Sequence, residues 1–256
     1  MTAIARIVTR KGSSHAHRCE DESFSFTYGN ITVLMVFDGC SSGVKSYFAS
    51  GLFAKLFKKI AIHHADYFTK HDDVYDISKF LLRTFFAELK SAMSYLELGV
   101  AEVQSTIVYS VINTDTKHSN SVMIGDGTVY IDGKIETEQP EGNAPRYICY
   151  FLDLDFEQLW SQEVFEYYHK VEKTISVMTD GIDSFKEKNQ FISQEQKDQI
   201  IHSLLEDEKF FTTGNEIPLQ RKCNILENAG LIPSDDLAIA RLVFLETEEP
   251  KVDEII

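Results

Sequence analysis

Ile31-Thr-Val-Leu-Met-Val-Phe37 is an unbroken run of apolar or β-branched residues that ends in Asp38-Gly39. A short run of that kind, closed by a turn signal, predicts a buried strand. The chain repeats the device. Thr174-Ile-Ser-Val-Met-Thr179 ends in Asp180-Gly181, and Ser121-Val-Met-Ile124 ends in Gly125-Asp126-Gly127. Asp235-Asp236 opens a last apolar run, Leu237 to Leu245. Each such strand must be covered by other structure, and each delivers a carboxylate at one end. Several carboxylates brought to one place repel unless a cation is present, so the expectation is that these ends meet around metal ions. Asp-Gly alone is a common turn dipeptide. Asp132-Gly133, inside Thr128-Val-Tyr-Ile-Asp-Gly-Lys-Ile-Glu136, reads as a plain hairpin tip. The other sites differ because no alternating partner follows them directly.

In chain order, Ala3 to Val8 predicts a first strand, and Lys11 to Asp21 a polar loop able to face an anion or a metal. Glu22 to Tyr28 alternates as a strand does, and Gly29-Asn30 is a two-residue turn into the central strand. Antiparallel pairing places the start of one strand beside the end of its partner, so Glu20, Asp21 and Asp38 should lie together. Phe48, Leu52, Leu56 and Ile60 predict an amphipathic helix, as do Ile77, Leu81, Phe85, Leu89 and Met93 between Asp76 and Leu98. Their aromatic stripes read as core packing. His63, His64 and His71 read as a solvated helix end with no metal role. Strands are expected over Val103–Ile112, Ser121–Ile124, Thr128–Ile135 around its hairpin, and Tyr147–Leu152. A loop is expected over Glu138–Pro145, helix over Ser193–Phe211, and an irregular connection with a short helix over Thr212–Pro233. Strands in runs with helices grouped between them fit an α+β antiparallel sandwich with helices outside, and argue against a doubly wound fold. At 256 residues the chain is read as a single domain, 1–256, with a frayed acidic tail over 246–256.

The net charge of −15 argues against nucleic acid or an anionic membrane as the main partner. No stretch approaches the length of a membrane span, and the N-terminus has no signal-peptide pattern. The four cysteines, Cys19, Cys40, Cys149 and Cys223, are scattered, which points to neither zinc nor a disulfide framework and makes a reduced, cytoplasmic setting the default.

The candidate ligands are Glu20, Asp21, Asp38, Asp126, Asp180 and Asp235, with Asp236 adjacent, and no histidine or cysteine is expected among them. Hard oxygen ligands select magnesium, manganese or calcium. Two such ions about 3.5–4 Å apart can share a carboxylate and activate a bridging water for in-line attack on phosphorus.

The order Glu20-Asp21, Val36-Phe37-Asp38-Gly39, Gln104-Ser105-Thr106, Gly125-Asp126-Gly127, Thr179-Asp180-Gly181 and Asp235-Asp236 resembles the metal-dependent protein phosphatases of the 2C type. Lys11-Gly-Ser-Ser-His15 and Cys19-Glu20-Asp21 look closest to a compact bacterial branch. The resemblance implies a four-layer αββα sandwich of two antiparallel β-sheets flanked by helices. It implies two or three Mn2+ or Mg2+ ions, with Asp38 bridging two of them. Glu20 and the Gly39 carbonyl would complete one site, Asp180 and Asp235 would hold the other, and Asp126 with Asp180 would face a third ion. Asp21 would hydrogen-bond water at the metals. The activity implied is phosphoserine/phosphothreonine protein phosphatase, acting in signalling opposite a cognate kinase, as a monomer.

Three positions depart from the family pattern. An arginine usual four residues before the glutamate is Ala16 here. Arg18, His15 or His17 could take its place, and Arg18 is the favoured one. Cys40 stands where eukaryotic members often carry a histidine, and reads as a small turn residue. Gln104 replaces a glycine, a matter of local packing. The competing functions are a non-catalytic binding or scaffold module, which the missing arginine would suit, and a hydrolase of small phosphate esters, which a short Glu138–Pro145 loop would leave open to solvent.

Overall fold

The computed structural model describes residues 2–43, 46–138, 145–187 and 190–246. The chain begins with strands β1 (Thr2–Arg10), β2 (Glu22–Tyr28) and β3 (Ile31–Phe37), followed by helices α1 (Ser46–His63), α2 (Ala65–Lys70) and α3 (Val74–Leu96). Strands β4 (Ile107–Asn113), β5 (His118–Ile124), β6 (Gly127–Ile131) and β7 (Lys134–Glu138) come next. Helix α4 (Phe156–Glu163) and strands β8 (Phe165–Lys170), β9 (Thr174–Met178), β10 (Phe185–Glu187) and β11 (Gln190–Phe191) follow. The chain then forms α5 (Gln194–Ile201), α6 (Pro218–Asn228), β12 (Leu231–Pro233) and β13 (Leu237–Leu245).

Two five-stranded sheets, β1-β13-β9-β6-β7 and β2-β3-β4-β5-β8, are stacked face to face, and every pairing in them is antiparallel. Alternation along β3 shows why its run is unbroken. Ile31, Val33, Met35 and Phe37 pack against α1 and α3 through Phe53, Phe57 and Phe85. Leu34 and Val36 face the other sheet and meet Ala238, Ala240 and Leu242 of β13. A strand covered on both faces has no solvated side for polar residues. The aromatic stripes of the two long helices are core, with Phe57 and Phe85 stacked at 4.4 Å. On the outer face of the β1-β13-β9-β6-β7 sheet, Leu237, Ile239 and Val243 pack with Ile200, Leu204, Leu219 and Cys223 from the α5–α6 region. The layers therefore run helix, sheet, sheet, helix. Among the described residues no helix is long and apolar enough to cross a membrane.

Several local expectations are corrected. Tyr147–Leu152 is not a strand, because Ile148–Phe151 is a 3-10 turn. Ile148 and Cys149 are both buried while Tyr150 is half exposed, a spacing that does not alternate. Strand β4 starts at Ile107 instead of Val103, since Ser105 and Thr106 are committed to the turn after β3. The polar and aromatic stretch after Leu152 holds α4, capped by Asp155 and Gln158, and the edge strand β8. The helix expected to reach Phe211 stops at Ile201 and closes with one π turn, 202–206. Arg241 is responsible. It lies inside the last apolar run yet is 0 % exposed, and it donates to the Leu204, Glu206 and Asp207 carbonyls and to Thr174 Oγ1. A buried guanidinium needs several acceptors, and the end of a helix offers them. The small sheet β11-β10-β12 has no counterpart among the strands expected from periodicity. Most of the Glu138–Pro145 loop and of the acidic tail lies outside the described residues.

Candidate metal centre

The topology brings the carboxylate-bearing turns to one end of the sandwich. Glu22 pairs with Phe37, so Glu20 and Asp21 stand beside Asp38. Strand β13 pairs with β9 through Ile239 and Met178, which sets Asp235 and Asp236 beside Asp180. Strand β6 pairs with β9 through Thr128 and Met178, which adds Asp126.

Each turn is held by backbone contacts that explain its sequence. Asp38 N donates to Thr106 Oγ1 at 3.2 Å, and Thr106 N returns a bond to the Asp38 carbonyl at 2.9 Å. Gly39 N donates to the Glu20 carbonyl and Cys40 N to the Gln104 carbonyl. Gln104-Ser105-Thr106 is therefore the clamp on the Asp38 turn. Gly39 is required because a Cβ there would stand 2.3 Å from the Ser46 carbonyl oxygen. At Gly181 a Cβ would stand 1.8 Å from the Asp236 carbonyl oxygen, and at Gly12 2.2 Å from the Asp235 carbonyl carbon. These glycines serve close backbone approach, whereas Gly133 (φ 92°) with Asp132 (φ 47°) makes the ordinary hairpin turn. Asp132 has its own structural task, accepting from the amides of Glu172, Lys173 and Thr174. Gly181→Ala is expected to cost about 1–3 kcal/mol by overpacking and to lower activity by moving Asp180 against Asp236. Equal melting temperature and activity in the variant would contradict that close contact.

The centre is electrostatically stressed. Burial, reinforced by the charges of Asp21 and Asp180, pushes the Asp38 carboxyl well above the ordinary carboxylate range. Burial pushes Asp21 up to about 8, against the lowering effect of its hydrogen bond from Thr179. Asp180 rises to about 6 through burial and the charges of Asp126, Asp235 and Asp183. Burial alone raises Asp126. Asp21 stands beside Asp38, and its charge is among the causes that raise Asp38. Glu20 Oε2 and Asp126 Oδ1 are buried and have no hydrogen-bond partner among the described residues. Unpartnered carboxylate oxygens facing crowded like charges need a cation, and hard oxygen donors suit Mg2+ or Mn2+. The residues present fit such ions.

The two members of the Asp235-Asp236 pair play different parts. The Asp235 side chain is half exposed, and its amide donates to Ser184 Oγ at 3.0 Å. Asp236 is 2 % exposed and is an anchor. Its Oδ1 accepts from Gly12 N at 2.6 Å, and its Oδ2 accepts from Glu20 N and lies 2.8 Å from His15 Nδ1. With Ser13 and Ser14 amides donating to the Pro233 and Ser234 carbonyls, the 12–20 loop is strapped to the start of β13. His15 stands beside these carboxylates as well, its Nε2 3.2 Å from Asp235 Oδ1. Burial alone would lower the His15 imidazole, but its bond to Asp236 and the charges of Asp236, Asp235 and Glu20 prevail and raise it. Sequence spacing could not reveal this, since the partners are 221 residues apart. Thr179 is a further member of the centre. Its hydroxyl donates to Asp21 at 2.6 Å and accepts from Ala238 N at 2.9 Å, and its only signal in the sequence is a threonine just before Asp180-Gly181.

Arg18 lies on the rim. Its guanidinium sits 4.5 Å over the Tyr47 ring, in an open cleft of about 450 Å³ that also takes in His15, His17, Glu20, Ser41 and Ser46. Among the described residues it forms no ion pair with a carboxylate.

The profile of the family described as protein phosphatase 2C matches residues 11–210. No curated relative matches the chain by sequence. The chain is similar in fold to a bacterial serine phosphatase bearing a point mutation, with TM-score 0.63 and 14 % identity over 96 % of this chain and 100 % of that one. It is similar to the catalytic domain of the serine/threonine protein phosphatase PstP in complex with two manganese ions, with TM-score 0.60 and 13 % identity over 95 % and 99 % of the two chains. It is also similar to RsbX in complex with magnesium, with TM-score 0.53 and 13 % identity over 94 % of each chain.

Proposed function

Because the chain belongs to the protein phosphatase 2C family, we propose that it is a divalent-metal-dependent phosphatase acting on phosphoserine and phosphothreonine in proteins. The observation that carries this reading is the crowding of Asp21, Asp38, Asp126 and Asp180 with unpartnered oxygens on Glu20 and Asp126. Glu20, Asp38 and the Gly39 carbonyl would hold one ion. Asp38, Asp180 and Asp235 would hold a second, and Asp126 with Asp180 a third. The chemistry such ions supply when bound is activation of water as a nucleophile and neutralisation of charge on the phosphoryl group.

The chain's own residues do the rest. Asp21, fixed by Thr179, accepts a hydrogen bond from the attacking water. Arg18, steadied on the Tyr47 face, grips phosphate oxygens with a planar fork. Its open surroundings leave room for a peptide carrying the phosphate. The cognate kinase that makes such a substrate and a cytoplasmic monomeric state belong to the same proposal.

The test is turnover of an aryl phosphate and of phosphoserine and phosphothreonine peptides, with manganese and with a chelator. Metal-dependent hydrolysis of both substrates is expected. Turnover of the aryl phosphate alone would point to a small-ester hydrolase, and metal binding without turnover to a binding module. Arg18→Lys is expected to raise KM severalfold with kcat little changed, the pattern of lost uniform binding. His17→Ala should leave both constants near wild type. Unchanged constants in Arg18→Lys would remove Arg18 from phosphate binding.

A further inference from the structure

We propose that Tyr150, tethered by Gln104, is a platform for a large apolar side chain close in sequence to the phosphorylated residue of a protein substrate. The proposal rests on the phosphoprotein reading above and names a specificity-determining residue for it.

Gln104 stands where the family pattern has glycine, and its side chain makes the platform. Its backbone carbonyl accepts from Cys40 N at 3.1 Å, inside the turn that carries Asp38. Its side chain reaches the other way, and Nε2 donates to the Tyr150 hydroxyl. A glycine there could supply the carbonyl but not the tether. The amide is also confined. A Cβ on Gly43 would stand 3.3 Å from Gln104 Oε1 and 3.1 Å from the Ala101 carbonyl oxygen, so the turn after Asp38 lies close against it. Tyr150 belongs to the 3-10 turn Ile148–Phe151 and is 48 % exposed. Its ring meets that of buried Tyr147 at 5.5 Å and 69°. The ring is thus held at its hydroxyl and along one side while a face stays open. Burial raises the Tyr147 hydroxyl first, and the charges of Asp38 and Asp126 are among the further causes, which sets this aromatic pair beside the metal centre.

The platform is continuous with the cleft assigned to the phosphate. Gly43 lines that cleft together with Arg18, and on its other side it borders Gln104, which holds Tyr150. A peptide chain leaving the Arg18 cleft across Gly43 therefore meets the Tyr150 ring. Val100, in the neighbouring turn Val100–Glu102, is 43 % exposed and adds apolar surface. A ring already held in place loses little freedom when a ligand covers it, and its flat face gains most from an apolar partner. An aryl phosphate has no flanking residue and cannot use this contact, so the platform favours peptides over small esters.

The test is kcat/KM of the full chain with saturating Mn2+ on a set of phosphoserine peptides. The three residues on either side of the phosphoserine are varied one at a time among alanine, leucine, phenylalanine and lysine. Each value is divided by the same protein's kcat/KM for an aryl phosphate, so a general loss of activity cancels. In the wild type, leucine or phenylalanine at one position is expected to exceed alanine on the order of tenfold. Tyr150→Ala should abolish that preference, and Tyr150→Phe, which keeps the ring but loses the tether, should retain part of it. Equal values for all peptides, a preference for lysine, or an apolar preference that survives Tyr150→Ala overturns the proposal and leaves the phosphatase reading standing. No metal-dependent turnover of any phosphopeptide by the wild type overturns both. The wild-type comparison needs no variant, so it can overturn the proposal even if Tyr150→Ala does not fold.

Discussion

Asp38→Asn is expected to abolish turnover while leaving the protein folded, and to make the metal-free form melt at a higher temperature than wild type. The two effects have one cause. Asp38 is buried at the end of β3 among the charges of Asp21, Asp180 and Asp126, and its carboxyl is held well above its ordinary range. The proposed function makes it the ligand shared by two ions, and an amide offers one oxygen and no charge. Loss of several kcal/mol of transition-state stabilisation corresponds to a fall in turnover on the order of 10³. The stability gain has a defined sign. A carboxyl whose folded-state pKa is raised destabilises the fold above its unfolded-state value, because the unfolded chain sheds the proton more readily. Removing it therefore stabilises the apo protein near neutrality, and the gain fades as pH falls below the ordinary carboxylate value, where both states hold the proton. Melting curves in chelator from acid to neutral pH, with kinetics at saturating manganese, check both parts. Normal turnover would exclude a shared-ligand role, and a lower apo melting temperature at neutral pH would show that Asp38 is a net structural stabiliser.

Asp236→Ala should act in the opposite direction on the apo protein. Gly12 N and Glu20 N both donate to this carboxylate, and His15 leans on it. Alanine leaves two amides without their acceptor in a protected setting, a loss of about 2–6 kcal/mol at about 1–3 kcal/mol per orphaned group. In a domain of this size that is roughly 4–24 °C in melting temperature. Activity should fall as well, because the freed 12–20 loop carries Glu20, His15 and Arg18. Measurement in chelator separates this role from ligation. A residue that only ligated metal would leave the apo protein unchanged or more stable, as is expected of Asp38→Asn, and such a result would end the anchoring role.

The local sequence determined a good deal. Periodicity identified the central hairpin of β2 and β3 and the two long helices, because a strand covered on both faces is a continuous apolar run and a helix covered on one face repeats at four-residue spacing. The Gly29-Asn30 turn fixed the register that sets Glu20 and Asp21 beside Asp38. The ordered carboxylate motifs pointed to the family and so to the layered fold. The tertiary structure decided what depends on partners distant in sequence. It turned Tyr147–Leu152 into a 3-10 turn, since burial there follows packing on α1 and α3 instead of alternation. It ended the α5 region at the carbonyls that the buried Arg241 requires. It separated Asp235 from Asp236, two identical adjacent residues, by giving one to solvent and the other to the amides of Gly12 and Glu20. It placed His15 between them. A side chain's chemistry is written in the sequence, but its exposure and its partners are set by backbone that arrives from elsewhere in the chain, and at this centre those two quantities separate a ligand from an anchor.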